Sequence, residues 1–247
     1  MPGRRHPALW LVLSAATLVA CSSSPMSPGQ VAPSPATTVA AATVPAATSA
    51  APEPTTTAPS GFVATTAPVA TADLGGSWRE GCPLAPDRLR LVKLPYWGFD
   101  DQAHPGSLVL NVAIVDAATA VFRRLYDAHF PIRRMEPIDV FGGDDNASMA
   151  ADNTSGFNCR LAVASGPPQW SAHAYGEAID VNPVENPYIE GGAVLPPSGA
   201  AYVDRSNDRP GMALPDSTLN AAFAAAGWSW GGQWSSPDYQ HFSATGG

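Results

Sequence analysis

The sequence predicts an α+β fold built from short antiparallel strands and a few helices. Helical and strand-like segments are mixed along the chain without the regular strand–helix alternation of a parallel sheet. No internal repeat is present. Residues 73–247 are long enough for one sizeable core but short for two domains. We therefore expect a single α+β domain over these residues.

The first half of this domain predicts one strand-like segment and the longest helix. Residues 107–111 indicate a short strand or turn. Residues 112–130 predict a helix because apolar or weakly polar side chains recur at three- and four-residue steps. These positions are Val112, Val115, Thr119, Phe122, Tyr126 and Phe130. Pro131 cannot continue the helix and ends it.

The middle of the domain predicts strands separated by loops. The side chains of residues 132–141 alternate in character, which predicts an extended segment. Residues 142–146 (Gly-Gly-Asp-Asp-Asn) predict a loop. Residues 156–163 predict a further strand. Residues 178–181 predict a short strand whose Ile179 and Val181 share one face.

The last part predicts a long connection, a helix and a final strand. Residues 183–215 are rich in Pro, Gly and Asn and predict an excursion over the surface. Asp216 is the expected cap of a helix that runs to Ala226 and closes at Gly227. Residues 239–243 predict the final strand.

The N-terminal segment has the features of an export signal. Arg4 and Arg5 precede an apolar stretch over residues 8–20 that is short for a membrane span. Leu18-Val19-Ala20-Cys21 resembles a bacterial lipobox, which predicts a signal peptide over residues 1–20 and a lipid on Cys21. The alternative is an ordinary signal cleaved nearby, with Cys21 incidental. Both predict export, and the lipobox predicts anchoring to the outer face of the cell membrane, with work in the cell wall or periplasm.

Residues 21–72 predict a disordered tether. They are mostly Ala, Pro, Thr, Ser and Val, with Glu53 the one charge, and Phe62 the one aromatic ring, as far as Ala72. Such a segment buries too little apolar surface to offset the entropy of ordering it. As a flexible coil its ends would lie roughly 40 Å apart.

The cysteines predict one disulfide. Setting Cys21 aside leaves Cys82 and Cys159, an even pair in an exported and therefore oxidising context. The alternative assigns Cys159 to a metal site or to nucleophilic chemistry.

The charge excludes one class of partner. The formal net charge of −8 becomes −10 when Arg4 and Arg5 leave with the signal. No basic stripe is present, so we expect no nucleic-acid partner. Separately, we expect a monomer whose one membrane contact is the lipid anchor.

Two distant motifs predict a metal site. Ser171-Ala-His173-Ala-Tyr-Gly-Glu-Ala-Ile-Asp180 is followed by Asp238-Tyr-Gln-His241-Phe. His173, Asp180 and His241 form a donor set that holds zinc and leaves a fourth position for water, as in hydrolytic sites. Asp238 is placed to be the general base. Because a spacing of three on a flat strand puts Asp238 and His241 on opposite faces, we expect a turn or bulge at Asp238.

These motifs resemble the zinc D-alanyl-D-alanine carboxypeptidase family, which includes vancomycin-resistance carboxypeptidases and phage L-alanyl-D-glutamate endopeptidases. The resemblance extends over residues 96–242 and is closest to the branch whose base is an aspartate. It implies a small central antiparallel sheet flanked by helices, with zinc at the sheet. It also implies zinc ligation by His173, Asp180 and His241, with Asp238 as the base.

Other residues have two interpretations each. Arg160 could stabilise the oxyanion of amide hydrolysis, as an upstream arginine does in the related enzymes, or form an ordinary salt bridge. Ser171 could bind substrate or shape the turn into His173. The tryptophans at 228, 230 and 234 could line the cleft or fill the core. His104 and His129 are expected to be structural.

The expected substrate is a peptidoglycan stem peptide, cleaved either at a terminal D-alanine or within the stem. A terminal carboxylate would need a cation, for which Arg133, Arg134, Arg205 and Arg209 are candidates. Two other classes stay open: a non-catalytic wall-binding lipoprotein that retains a metal site, and a scaffold lipoprotein without tight zinc.

Overall fold

The computed structural model describes residues 61–163 and 167–246. The chain divides into two units, and all described residues lie in the second, Glu53–Gly247. The expected signal peptide over residues 1–20, the lipidation site at Cys21 and the tether as far as residue 60 lie outside the described residues. No helix in the described ranges has the length and apolar character needed to cross a membrane.

The α+β fold predicted from the sequence is confirmed. The strands are β1 (Thr65–Pro68), β2 (Leu89–Trp97), β3 (Ala103–Asn111), β4 (Arg134–Met135), β5 (Asn153–Thr154), β6 (Ala178–Asp180), β7 (Tyr188–Glu190), β8 (Ala193–Leu195), β9 (Ser229–Trp230) and β10 (His241–Ser243). The α-helices are α1 (Val115–Asp127), α2 (Asp145–Ala150) and α3 (Thr218–Ala224). Short 3₁₀ helices occupy Thr71–Leu74, Pro86–Arg88, Val112–Ile114, Ile138–Phe141, Ala172–Tyr175, Pro197–Tyr202 and Gly231–Gln233.

Two small antiparallel sheets organise the molecule. The first has the order β1-β2-β3, and β2 pairs with β3 from Leu89 opposite Asn111 to Trp97 opposite Ala103. The second has the order β6-β10-β9. The two remaining pairs are the parallel β4–β5 and the antiparallel β7–β8.

One hydrophobic core joins both sheets to the helices. It includes Leu108 from β3, Phe122 from α1, Phe223 from α3 and Phe242 from β10, each at most 1% exposed. The rings of Phe223 and Phe242 stack with their centroids 4.0 Å apart. This packing supports the second sheet from behind, because Phe242 lies next to His241 and points to the opposite face.

A second, smaller cluster surrounds the disulfide. Cys82 and Cys159 are bonded, as predicted, with their Cα atoms 5.8 Å apart. The bond excludes the alternative in which Cys159 is a metal ligand or nucleophile. Leu74, Leu89 and Phe157 pack around it, so the disulfide ties the start of the domain to the segment that leads to Arg160.

The predicted boundary of the domain at residue 73 is wrong. Phe62 is 8% exposed and belongs to the main core, where its ring lies 5.7 Å from that of Tyr126. Strand β1 pairs with β2, with Thr65 opposite Lys93. The folded body therefore includes residues from 61 onwards. Composition did not reveal this because β1 is an exposed edge strand of polar and small residues.

Several predicted elements in the first half need correction. The strand at residues 107–111 is longer, and its partner β2 was not predicted. The helix ends at Asp127 rather than beside Pro131. Residues 132–141 contain only the two-residue β4 before a 3₁₀ turn, and the predicted loop at 142–146 already includes the start of α2.

Later elements follow the predictions more closely. Strand β6 is present, and Ile179 and Val181 both enter the main core. Residues 156–163 form no strand, although Leu161 pairs with Trp170 in an isolated bridge. Residues 183–215 are not simply a surface excursion, since they contain the β7–β8 hairpin and the buried Glu185 and Asn186. The final strand begins at His241, after a turn.

Candidate metal centre

Local structure around His173 places its ring towards strand β6. The Ser171 side chain accepts a hydrogen bond from the His173 backbone N–H and caps the 3₁₀ turn Ala172–Tyr175. Gly176 ends that turn with φ of 64°, and a Cβ there would lie 2.7 Å from the Asn111 backbone nitrogen. Only glycine suits this position, which directs the chain into β6 and Asp180.

Pairing of β6 with β10 brings in the second histidine. Asp180 and His241 are directly opposite each other in the antiparallel register. Residues opposite one another on one face of a sheet have Cβ atoms about 5 Å apart. One cross-strand pair therefore brings together two residues that are sixty-one positions apart in the sequence.

The three side chains converge on one point, as the metal-site prediction requires. His173 Nε2 lies 3.1 Å from Asp180 Oδ2, and His241 Nδ1 lies 3.2 Å from Asp180 Oδ1. The two ring nitrogens are 3.2 Å apart. Ligand atoms about 2.0–2.1 Å from a tetrahedral zinc ion lie roughly 3.3 Å from one another. The buried set therefore fits a metal ion of this size.

A carbonyl behind His173 fixes its tautomer. His173 Nδ1 donates to the Gly156 carbonyl oxygen at 2.6 Å, which leaves the Nε2 lone pair directed at the centre. A Cβ on Gly156 would lie 2.6 Å from the Val109 carbonyl oxygen, so the close approach requires glycine. Paired backbone hydrogen bonds of 3.0 Å between Ser155 and Asp180 hold the neighbouring segment in place.

The electrostatics keep the carboxylate ionised. Burial raises the pKa of Asp180, but the adjacent imidazoles of His173 and His241 outweigh burial and hold it well below its usual range. For His173 the negative charge of Asp180 outweighs burial and raises the pKa, whereas burial lowers the pKa of His241. An ionised carboxylate between two imidazoles is a donor set for a divalent cation.

Asp238 lies beside this cluster, at the start of the turn that leads into His241 and that its spacing predicted. The His241 backbone N–H donates to the Asp238 carbonyl oxygen at 3.3 Å, and the Asp238 N–H donates to Gly231 at 3.0 Å. Burial and the nearby charge of Asp180 raise the pKa of Asp238 to about 8. Its Oδ1 is shielded from solvent and has no hydrogen-bond partner among the described residues. A carboxyl group that exchanges a proton near neutral pH can serve as a general base.

Arg160 has features of both interpretations. Its Nε lies 2.9 Å from Asp145 Oδ2, which is a salt bridge. The charges of Asp145, Asp180 and Asp238 outweigh burial and raise the pKa of its guanidinium. The same side chain is therefore held by one carboxylate and lies within electrostatic reach of the metal-site cluster.

Ser171 has a defined structural contact, the cap of the turn described above. It is buried. A role in binding substrate stays a prediction.

The tryptophans divide between the two interpretations. Trp228 and Trp230 are 7% exposed and belong to the core. Trp234 is 37% exposed, and its ring lies 5.2 Å from that of His241. Trp234 therefore lies beside the metal-site cluster and is partly open to solvent. His104 and His129 lie outside the cluster, as expected, where they contact Asp100 and Trp97.

Tyr188 is a neighbour of the site that the sequence did not reveal. It pairs with Asp238 in an antiparallel bridge, and its hydroxyl donates to Glu190 at 2.7 Å. Burial, Glu190 and Asp238 raise its pKa. In the sequence, Tyr188 is distinguished by its Asn-Pro-Tyr context, and that context does not predict pairing with Asp238.

The four arginines considered for a terminal carboxylate are all engaged. Arg133 pairs with Asp152 and Glu185, and Arg134 pairs with Glu136. The other two stack on aromatic rings and donate to backbone carbonyls: Arg205 on Tyr239, and Arg209 on Tyr202.

Comparison with known proteins gives one match. Residues 165–244 match the family model described as D-alanyl-D-alanine carboxypeptidase. Over these residues the chain is similar to that family, as the motifs around His173, Asp180 and His241 predict, and the match supports a peptidase. Neither the curated proteins nor the solved structures gave a match.

Proposed function

We propose that this chain is an exported zinc peptidase that hydrolyses peptide bonds in peptidoglycan stem peptides. The observation that carries the proposal is the convergence of three buried ligand atoms 3.1–3.2 Å apart, with the carboxyl group of Asp238 beside them. The family match over residues 165–244 supports the reaction class.

The residues divide the chemistry among them. His173, Asp180 and His241 would hold zinc, which when bound supplies a Lewis acid that activates water and polarises an amide carbonyl. Asp238 accepts the proton of the attacking water and passes it to the departing amine. The guanidinium of Arg160 stabilises the negative charge that develops on the carbonyl oxygen.

The proposed location follows from the N-terminal sequence. Cleavage before Cys21 and lipidation of its sulfur would anchor the protein to the outer face of the membrane, with the domain on its tether in the cell wall or periplasm. The accessible peptide polymer there is peptidoglycan. The lipid would be the one membrane contact, and we propose that the domain acts as a monomer without nucleic acid.

A specific observation favours cleavage within the stem over removal of a terminal D-alanine. Removal of a terminal residue needs a cation for the free carboxylate. Arg133 and Arg134 are paired with carboxylates, and Arg205 donates to Asn186 and to backbone carbonyls. Endopeptidase action is therefore the favoured form of the proposed peptidase activity, and removal of a terminal D-alanine is the alternative.

The test is incubation of the full chain with defined muropeptides, with and without a chelator, followed by mass analysis of the products. We expect metal-dependent cleavage, and the masses identify the bond. The His173→Ala variant should lose both zinc and turnover, whereas His104→Ala, which removes a remote histidine, should retain both.

The rival classes give different results. A wall-binding lipoprotein with a retained metal site would bind zinc and muropeptides without cleaving them. A scaffold lipoprotein would bind no zinc tightly. Either result would contradict the proposed function.

A further inference from the structure

Asp145 makes two directed contacts beside the candidate site. It is the first residue of α2. Its Oδ2 lies 2.9 Å from Arg160 Nε, and its Oδ1 accepts a hydrogen bond from the Asn158 side-chain amide at 3.2 Å. Both carboxylate oxygens are thus used within a partly buried pair whose side chains are 20–24% exposed.

The Asn158 contact joins Asp145 to the first metal-site segment. Asn158 is 3% exposed, and its backbone N–H donates to the His173 carbonyl oxygen at 3.1 Å. Asp145 therefore connects the start of α2 both to the turn that carries His173 and to the side chain of Arg160.

The backbone of Arg160 is also held from both sides. Its N–H donates to the Asn158 carbonyl at 2.8 Å, and its carbonyl accepts from the Ser171 N–H at 3.1 Å. The preceding residue, Cys159, is in the disulfide. With the backbone held in this way, the direction of the guanidinium depends on its own contacts, which are the ion pair with Asp145 and a longer Nη1 hydrogen bond of 3.4 Å to the Leu161 carbonyl oxygen.

The contact between Arg160 and Asp145 is an ion pair between a planar cation and a carboxylate. Arginine carries five N–H donors on a planar group. Its Nε is buried 2.9 Å from Asp145 Oδ2 in an ion pair that lacks the geometry of a hydrogen bond, and the charges of Asp180 and Asp238 also act on the group. Holding Nε beside Asp145 therefore restricts the directions in which the terminal nitrogens can point.

We propose that Asp145 is a positioning residue that orients the Arg160 guanidinium for stabilisation of the oxyanion. The proposal rests on the proposed function. Asp145 itself touches no reacting atom and acts through Arg160.

The neighbouring carboxylate provides a matched control. Asp144 is the N-cap of α2, and its side chain accepts from the Ala147 N–H at 3.1 Å. Removing Asp144 weakens the same helix without removing a contact to Arg160. A loss of turnover that occurs in Asp145→Ala but not in Asp144→Ala therefore indicates positioning of Arg160 rather than destabilisation of α2.

The first measurement is a double-mutant cycle on muropeptide turnover with the full chain. We expect Arg160→Ala to lower kcat about 100-fold, the range for loss of one oxyanion donor. Asp145→Ala should lower kcat about tenfold with KM and zinc content unchanged, and should have no further effect in the Arg160→Ala background. Asp145→Asn keeps an oxygen acceptor and should retain part of the rate, whereas Asp144→Ala should keep kcat.

The second measurement needs no turnover. In metal-free protein labelled with ¹⁵N-arginine, the Arg160 Nε–H signal should be protected from solvent exchange. Protection should be lost in Asp145→Ala and kept in Asp144→Ala.

The outcomes separate this proposal from the proposed function. An inactive wild-type chain contradicts the function, while the exchange measurement still tests the orientation of Arg160. An active chain in which Asp145→Ala has normal kcat, or lowers it equally with and without Arg160, overturns the positioning role. An unprotected Nε–H in the wild type overturns it as well.

Discussion

At the scale of single residues, the site combines two carboxyl groups whose pKa values are shifted in opposite directions. Asp180 is ionised between two imidazoles, whereas burial and the charge of Asp180 raise the pKa of Asp238. Two carboxyl groups in one site are thereby assigned different roles by their surroundings. Substitution of Asp238 should therefore have an effect on catalysis that can be separated from any effect on metal binding.

Replacing Asp238 should affect catalysis and not metal binding. We expect Asp238→Asn to retain zinc, because the three ligands remain, and to lower kcat about 10²–10⁴-fold, the contribution of general base catalysis. Metal content by elemental analysis and turnover of a muropeptide check both parts. Near-normal turnover would show that the base assignment is wrong.

Glu185 should make stability depend on pH. Its side chain is buried, and burial together with Asp152 raises its pKa from the ordinary value of 4.5 to about 8. Because the folded state binds the proton more tightly, Glu185 lowers the free energy of unfolding as pH rises from about 4.5 towards 8.

The Glu185→Gln variant should remove that dependence. We expect its Tm to rise relative to that of the wild type as pH increases from about 5 to about 9, in scans at fixed ionic strength. A wild type that gains stability relative to the variant over this range would contradict the raised pKa.

At the scale of elements, one residue decides where α3 begins. The predicted cap, Asp216, is exposed and precedes the true N-cap, Ser217. The Ser217 side chain accepts hydrogen bonds from the N–H groups of Asn220 and Leu214. Asp and Ser both satisfy capping preferences, so adjacent candidates cannot be separated without the backbone path from Leu214.

The two substitutions should differ in stability. We expect Ser217→Ala to lower the free energy of unfolding by about 1 kcal/mol, the usual value of an N-cap. Asp216→Ala should change it by less than about 0.5 kcal/mol, as for an ordinary surface residue. Denaturant unfolding of both variants gives the comparison, and equal losses would contradict the assignment of Ser217.

At the scale of the whole molecule, the folded body is completed by residues whose composition predicts disorder. Strand β1 is exposed along its length, and Phe62 is the residue that anchors this segment in the core. The guanidinium of Arg123 lies 4.6 Å from the centroid of its ring. One aromatic side chain therefore sets the start of the domain.

Phe62 should matter far more than its neighbour. We expect Phe62→Ala to cost about 3–5 kcal/mol, as for a buried aromatic residue. Val63→Ala, at a side chain that is 70% exposed, should cost less than about 0.5 kcal/mol. Equal effects in denaturant unfolding would show that the domain does begin near residue 73.

The sequence by itself determined the donor set, the disulfide pair, the fold class and the helix around Phe122. These depend on side-chain chemistry, on an even number of cysteines and on short-range periodicity. All of these can be read from residue types and their spacing along the chain. The tertiary structure alone decided that β1 and β2 join the first sheet, that Tyr188 lies beside Asp238, and that Asp145 holds Arg160. Each of these is a contact between distant segments, and it depends on strand pairing and core packing that no local pattern encodes.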